Sequence, residues 1–157
     1  VGNIRVDLSL LYPPFASVVV ALMSDLKSFY ATSGARGEQE QNALFAQGRT
    51  TPGPKVTNAK FGYSPHNFGI AIDVTHDSDL TKPGLQSDWK PENYAALGAY
   101  AKKHGLIWGG SWQSLKDLPH FEYDIKSLGL SLSDLRTIYF KDKLPGVWKL
   151  LDAARKG

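Results

Sequence analysis

The run Ser64-Pro-His-Asn-Phe-Gly-Ile-Ala-Ile-Asp73 constrains the chain more than any other stretch. Within ten residues it passes from polar and Gly-containing to apolar. Residues 68–74 are too few for a helix and rich in β-branched side chains, so they predict a buried strand. Asp73 then sits at the end of an apolar strand, with His66 at its mouth. A buried, unpaired carboxylate is costly and needs a cation or strong donors. A metal ion with His66 as co-ligand meets that need. On these two residues alone, an N-capping or salt-bridged Asp beside a surface His accounts for the pattern equally well.

A second run, Leu115-Lys-Asp-Leu-Pro-His-Phe-Glu-Tyr123, adds to the metal reading. His120 opens another predicted strand, and Asp117 stands three residues before it across a Pro-containing turn. Two His and one Asp form a donor set suited to Zn²⁺, and three protein ligands leave a fourth position for water, as in catalytic sites. A nearby carboxylate outside the ligand set is what such a site needs as general base. The chain has no cysteine, so neither disulfides nor thiolate ligation are available.

The pattern Ser-x-His-x-x-Gly-x-Ala-x-Asp, followed by Asp-x-x-His, resembles the zinc peptidases of bacterial cell walls. These are the VanY-like D-Ala-D-Ala carboxypeptidases and L-alanyl-D-glutamate endopeptidases, many phage endolysins among them. The resemblance covers about residues 15–124. It implies His66, Asp73 and His120 as zinc ligands and Asp117 as the catalytic acidic residue. It also takes in Arg36 and the run Glu40-Gln41-Asn42-Ala43-Leu44 with Gln47-Gly48-Arg49-Thr50, which implies that Arg36 faces the active site. An always-charged planar guanidinium suits oxyanion stabilisation; a loop Arg paired with Glu40 is the bland alternative. Ser64, Gln41 and Trp112 are candidate substrate-binding residues. The family's Trp-Gly-Gly-x-Trp run has its counterpart in Trp108–Trp112, with Ser111 where Asp is common. Glu122 is the rival base, because on a strand it shares a face with His120.

Beyond these motifs the chain reads as an ordinary globule. At 157 residues, 42% hydrophobic and 21% charged, it is expected to be a single zinc peptidase domain, 1–157. A net charge of +3 is too small for a nucleic-acid binder but fits an enzyme attracted to an anionic polymer. No run approaches the ~20 apolar residues of a membrane span. No signal peptide is visible, as expected of a lysin made in the host cytoplasm that acts on the wall, and equally of a mature chain after cleavage.

Strands are predicted at about 29–34, 68–74, 106–108 and 120–124, and helices over 15–27, 38–47 and 91–104. Pro13-Pro14 is expected to close a short turn, and residues 50–67 to form a long loop. His76 falls on the opposite strand face from Asp73, and Asp77 and Asp79 read as a solvated acidic loop. Residues 126–157 are expected as a helical extension, with a helix start at Ser131 and a new segment at Pro145. The expected fold is α+β, a small, mainly antiparallel sheet with helices packed on it, of the hedgehog/D-Ala-D-Ala-peptidase type.

The expected function is cleavage of the L-alanyl-D-glutamate bond of the peptidoglycan stem peptide by a monomeric phage endolysin with one catalytic Zn²⁺. A D-Ala-D-Ala carboxypeptidase or dipeptidase, and a catalytically silent zinc-stabilised wall-binding module, are the alternatives.

Overall fold

The computed structural model describes residues 2–157. In order, the elements are α1 (Pro13–Asp25), β1 (Phe29–Ser33), α2 (Glu38–Ala46), β2 (Ala71–Asp77), β3 (Ser87–Asp88), α3 (Pro91–Tyr94), α4 (Leu97–Lys103), β4 (Leu106–Trp108), β5 (His120–Tyr123) and α5 (Leu132–Lys156). Short 3-10 turns lie between them. The chain forms an α+β fold of helices and a small antiparallel sheet. It divides into two compact units, one made of the stretch up to Gly34 with Ala71–Asp124, the other of Ala35–Ile70 with Ile125–Gly157.

The first unit holds the whole sheet. Its strand order is β1-β2-β5-β4, with β3 also paired to β2, and every pair is antiparallel. Strand side chains alternate between faces. One face therefore carries Ile72, Val74, Phe121 and Tyr123, the other Asp73, Thr75, His120 and Glu122. The apolar face is covered by α1, whose Phe15, Val19, Leu22 and Met23 recur at helical spacing and are buried. Tyr12 and Phe15 both meet the Tyr123 ring edge-on. The Asn3 amide bonds the carbonyls of Met23, Leu26 and Phe29, tying the end of α1 to the start of β1.

In the second unit, two capping boxes set the local structure. Ser64 and Asn67 cap a 3-10 turn, Pro65–Phe68, and Gly69 ends it in the left-handed region at φ 70. The Asn67 amide also donates to the Arg36 carbonyl and to Gln41 Oε1, while its oxygen accepts from the Gly62 and Ser64 amides. Ser131 and Asp134 cap α5. That helix breaks at Lys143 (φ 59), two residues before Pro145. Proline has no N–H for the helical ladder, and its ring clashes with the carbonyl four residues back. Trp148 Nε1 donates to the Phe68 carbonyl at 2.9 Å, and Arg136 Nη1 to the Gly62 carbonyl at 2.9 Å. Tyr139 packs edge-on against Phe61 and Phe68.

Several expectations need correction. Pro13-Pro14 opens α1 rather than closing a turn, because proline's missing N–H costs nothing in a first helical turn. The strand expected at 68–74 begins three residues later, at Ala71, since the capping box and Gly69 claim the preceding residues. Asp73 is thus inside β2 rather than at its end. The helix expected over 91–104 is interrupted between α3 and α4, although Ala95 and Ala96 keep right-handed angles. Asp77 is buried, not solvated, and its Oδ1 accepts from the Asp79 and Gln86 amides.

Replacing Asn67 with Ala strips four backbone or side-chain groups of a buried partner. A loss of about 2–4 kcal/mol is expected, measured by urea unfolding; a change under about 0.5 kcal/mol would mean that water replaces the amide.

Candidate metal centre

The register of β2 against β5 sets Asp73 directly opposite His120, and that of β1 sets Ser33 opposite Asp73. Directly opposed residues of antiparallel strands share a face. Asp73 Oδ1 lies 3.4 Å from His120 Nδ1, and Glu122 Oε2 lies 3.7 Å from His120 Nε2. His120 is buried and Asp73 is half-buried. Two donors of one tetrahedral ion with bonds of about 2.0–2.1 Å are separated by roughly 3.3 Å. The Asp73–His120 spacing therefore fits two ligands of a single metal ion, and the donor types fit as well.

In the protein alone, burial pulls the His120 imidazolium down, but the Asp73 and Glu122 carboxylates outweigh it and raise the pKa to about 9. The Trp112 ring lies 5.3 Å from the His120 ring, tilted by 45°.

Asp117 stands exposed in the turn before β5. Its amide donates to the Gly109 carbonyl, and its own carbonyl accepts from the His120 amide. Trp108 Nε1 donates to the Leu118 carbonyl at 2.7 Å, fastening the same turn. A Cβ on Gly109 would meet the Asp117 carbonyl at 2.4 Å and the His120 Cβ at 3.1 Å. Gly109 thus lets the turn bearing Asp117 lie against His120.

The remaining candidates belong to the second unit. His66 is buried in the 3-10 turn, its amide accepted by Ser64 Oγ and its carbonyl bonded by the Arg36 amide. Arg36 is half-buried, with Nη1 donating to Gln41 Oε1 at 3.2 Å. Gln41 is fully buried, and its Nε2 donates to the Ala59 carbonyl. Gln41 is thus engaged at both ends of its amide, holding Arg36 and Asn67 at once. His76 turns to the opposite face of β2, as its spacing predicts, where it pairs with Asp88 and contacts Phe29 and Tyr94.

Two contributors had no sequence motif. Trp148 and Arg136, both in the C-terminal helix, brace the segment that carries His66. A Trp and an Arg in a helical stretch are ordinary composition, so only the fold reveals them.

Residues 57–123 match the sequence model of a peptidase family described as D-alanyl-D-alanine carboxypeptidase. The resemblance to this family holds. The chain is 40% identical over 101 residues to the peptidoglycan L-alanyl-D-glutamate endopeptidase CwlK of Bacillus subtilis, covering 58% of each chain. The aligned stretch thus spans little more than half the length of that curated relative. Among solved structures, the Serratia marcescens L-Ala D-Glu endopeptidase ChiX is 26% identical, with a TM-score of 0.52 over 78% of this chain and 87% of that one. The LD-carboxypeptidase LdcB, at 22% identity and a TM-score of 0.53 over 79% and 74%, shares the fold. Among the described residues, no helix is long and apolar enough to cross a membrane.

In metal-free protein, His120 is expected to titrate near pH 9 rather than 6.5. A raised folded-state pKa adds stability that is full below the unfolded value and lost as pH climbs through the folded one. Stability from this group should therefore fall between about pH 6.5 and 9. NMR titration of the imidazole checks the pKa, and Asp73→Asn should lower it.

Proposed function

We propose that the chain is a zinc-dependent peptidoglycan hydrolase that cuts the L-alanyl-D-glutamate bond of the stem peptide, in the manner of a phage endolysin. The observation that carries this is the Asp73–His120 pair, spaced for one ion, within a segment similar to the endopeptidase CwlK. His66, Asp73 and His120 would hold the ion, two imidazoles and a carboxylate. When bound, zinc supplies a Lewis acid that lowers the pKa of water and polarises a carbonyl.

Asp117 takes a proton from the attacking water and returns it to the leaving amine, the general base and acid of the reaction. An exposed carboxylate on a turn fastened to Gly109 can exchange protons with both water and substrate. Arg36 donates to the oxyanion that develops on the scissile carbonyl. Gln41, buried behind it, fixes the guanidinium in direction. Ser64 sets the turn that presents His66, and Trp112 borders His120, where the substrate backbone enters.

Glu122 has a different task from Asp117. With Nδ1 of His120 facing Asp73, Nε2 faces Glu122. Ligation through Nδ1 would leave the remaining proton on Nε2, where the Glu122 carboxylate would hold it and fix the tautomer. Glu122 is therefore an orienting group rather than the base.

A second reading, hydrolysis of a D-Ala-D-Ala terminus, is supported by the description of the matching family model. Mass spectrometry of muropeptides released from purified peptidoglycan separates the two, since one leaves a free L-alanine carboxylate and the other releases D-alanine.

Asp117→Ala should lower turnover at least ~10³-fold while zinc stays stoichiometric by elemental analysis. Glu122→Gln should weaken zinc binding by about 10–100-fold and keep most of kcat at saturating metal. Survival of activity in Asp117→Ala would transfer the base role to Glu122.

A further inference from the structure

The second unit carries a surface that the proposed chemistry leaves unused. Two adjoining cavities, each of about 490 Å³, share Lys60 and Tyr63 in their lining. Glu38 and Asn42 line one and Phe45 the other, positions that recur along one face of α2. From α5, Arg136 and Phe140 complete the first cavity.

This surface combines exposed rings with cations. Tyr63 is 48% exposed and Phe140 58%. The Arg136 guanidinium lies 3.9 Å from the Tyr63 ring centroid, and the Lys60 ammonium 5.3 Å. The Tyr63–Arg136 pair is held in place rather than loose. Arg136 also donates to the Gly62 carbonyl, and a Cβ on Gly62 would come within 2.8 Å of its Cδ. Gly62 has φ +92, so only glycine readily gives Arg136 that room.

Charge is distributed unevenly between the two units. Counting along the sequence, the second unit has eleven Lys and Arg against five Asp and Glu, the first seven against ten. The positive excess of the protein thus belongs entirely to the unit that bears the trough.

We propose that this trough docks the peptidoglycan strand outside the scissile bond, an acidic glycopeptide with sugar rings and free carboxylates. This rests on the proposed function. Exposed Phe140 offers a face for a sugar ring, the Tyr63 ring beneath Arg136 offers its exposed edge and hydroxyl, and Lys60 and Arg136 attract carboxylates. Asn42 and Glu38 supply hydrogen-bonding groups for hydroxyls and amides. A phosphate polymer would gain nothing from the exposed rings. Two cavities of this volume with Lys60 and Tyr63 in common suit several units of a polymer rather than a single ion.

The test is co-sedimentation of the full chain, in the Asp117→Ala background to prevent cleavage, with insoluble peptidoglycan stripped of teichoic acid and with unstripped walls. Tyr63→Ala with Lys60→Gln, and separately Phe140→Ala, should weaken binding to stripped peptidoglycan about five- to tenfold at unchanged melting temperature. Added salt should weaken it further. With Asp117 restored, the same variants should cut a soluble stem peptide at the wild-type rate and intact walls more slowly. Unchanged sedimentation, or binding only to teichoic-acid-bearing walls, would overturn the proposal. Sedimentation that depends on Tyr63, in a protein that hydrolyses neither substrate, would overturn the proposed function and leave the docking site standing.

Discussion

Strand register is the constraint on which the candidate chemistry depends. Asp73 and His120 are distant in sequence and meet only because β2 and β5 pair with these two residues directly opposite. A shift of one residue would send Asp73 to the apolar face, among Phe15, Tyr123 and the other side chains that cover it. The register is therefore held by the core. Ile72, Val74 and Phe121 are fully buried, and each such side chain contributes about 1.5–3 kcal/mol. Slipping the pairing would expose them and bury a carboxylate at the same time. The hydrophobic face thus places the polar face, and the Asp73–His120 pair needs no local device of its own.

His66 is positioned by other means. Its turn is closed by a capping box, ended by a left-handed glycine, and braced from the far end of the chain by Trp148. The hydrogen bonds of Asn67 and Gln41 join that turn to Arg36 and to the loop at Ala59 and Gly62. Both amides are buried, and buried amides are tolerated only when their donors and acceptors are met. An interconnected set of this kind resists small rearrangements, because moving one member leaves several others unsatisfied. The same amides thus serve the fold and hold Arg36, side chain and backbone, in place.

Much of this was legible in the sequence, and the rest was hidden for identifiable reasons. The short β-branched apolar run ending at Val74 and the run His-Phe-Glu-Tyr pointed to two strands, and the spacing of Val19, Leu22 and Met23 to a helix, because apolar patterning reports burial directly. The start of β2 was misplaced because Phe68 and Ile70 are apolar and buried without being in a strand. Apolarity marks what is inside, not its backbone conformation. Pro13-Pro14 can end one element or begin another, and only the following residues decide. The burial of Asp77 has no signal in the sequence, because its partners are backbone amides, which leave no trace in side-chain identity. The bracing by Trp148 and Arg136 was invisible because it crosses some eighty residues.

The electrostatics of His120 join the metal reading to the bland one. Its imidazole lies between two carboxylates, and in the protein alone that arrangement favours a proton on the ring. A salt-bridged histidine and a metal ligand therefore start from the same geometry. Negative charge gathered at a buried nitrogen attracts whichever cation is offered, and protons and metal ions compete for it. What separates the two outcomes is the second nitrogen. A purely structural imidazolium donates from both, so Asp73 and Glu122 would be equivalent partners. An imidazole that held an ion through Nδ1 would donate from Nε2 alone, toward Glu122. The shorter contact is to Asp73, at 3.4 Å, and the longer to Glu122, at 3.7 Å. Both exceed the usual length of a charge-assisted hydrogen bond, about 2.7–2.9 Å. The 3.4 Å contact with Asp73 is also the spacing two donors keep when they share an ion.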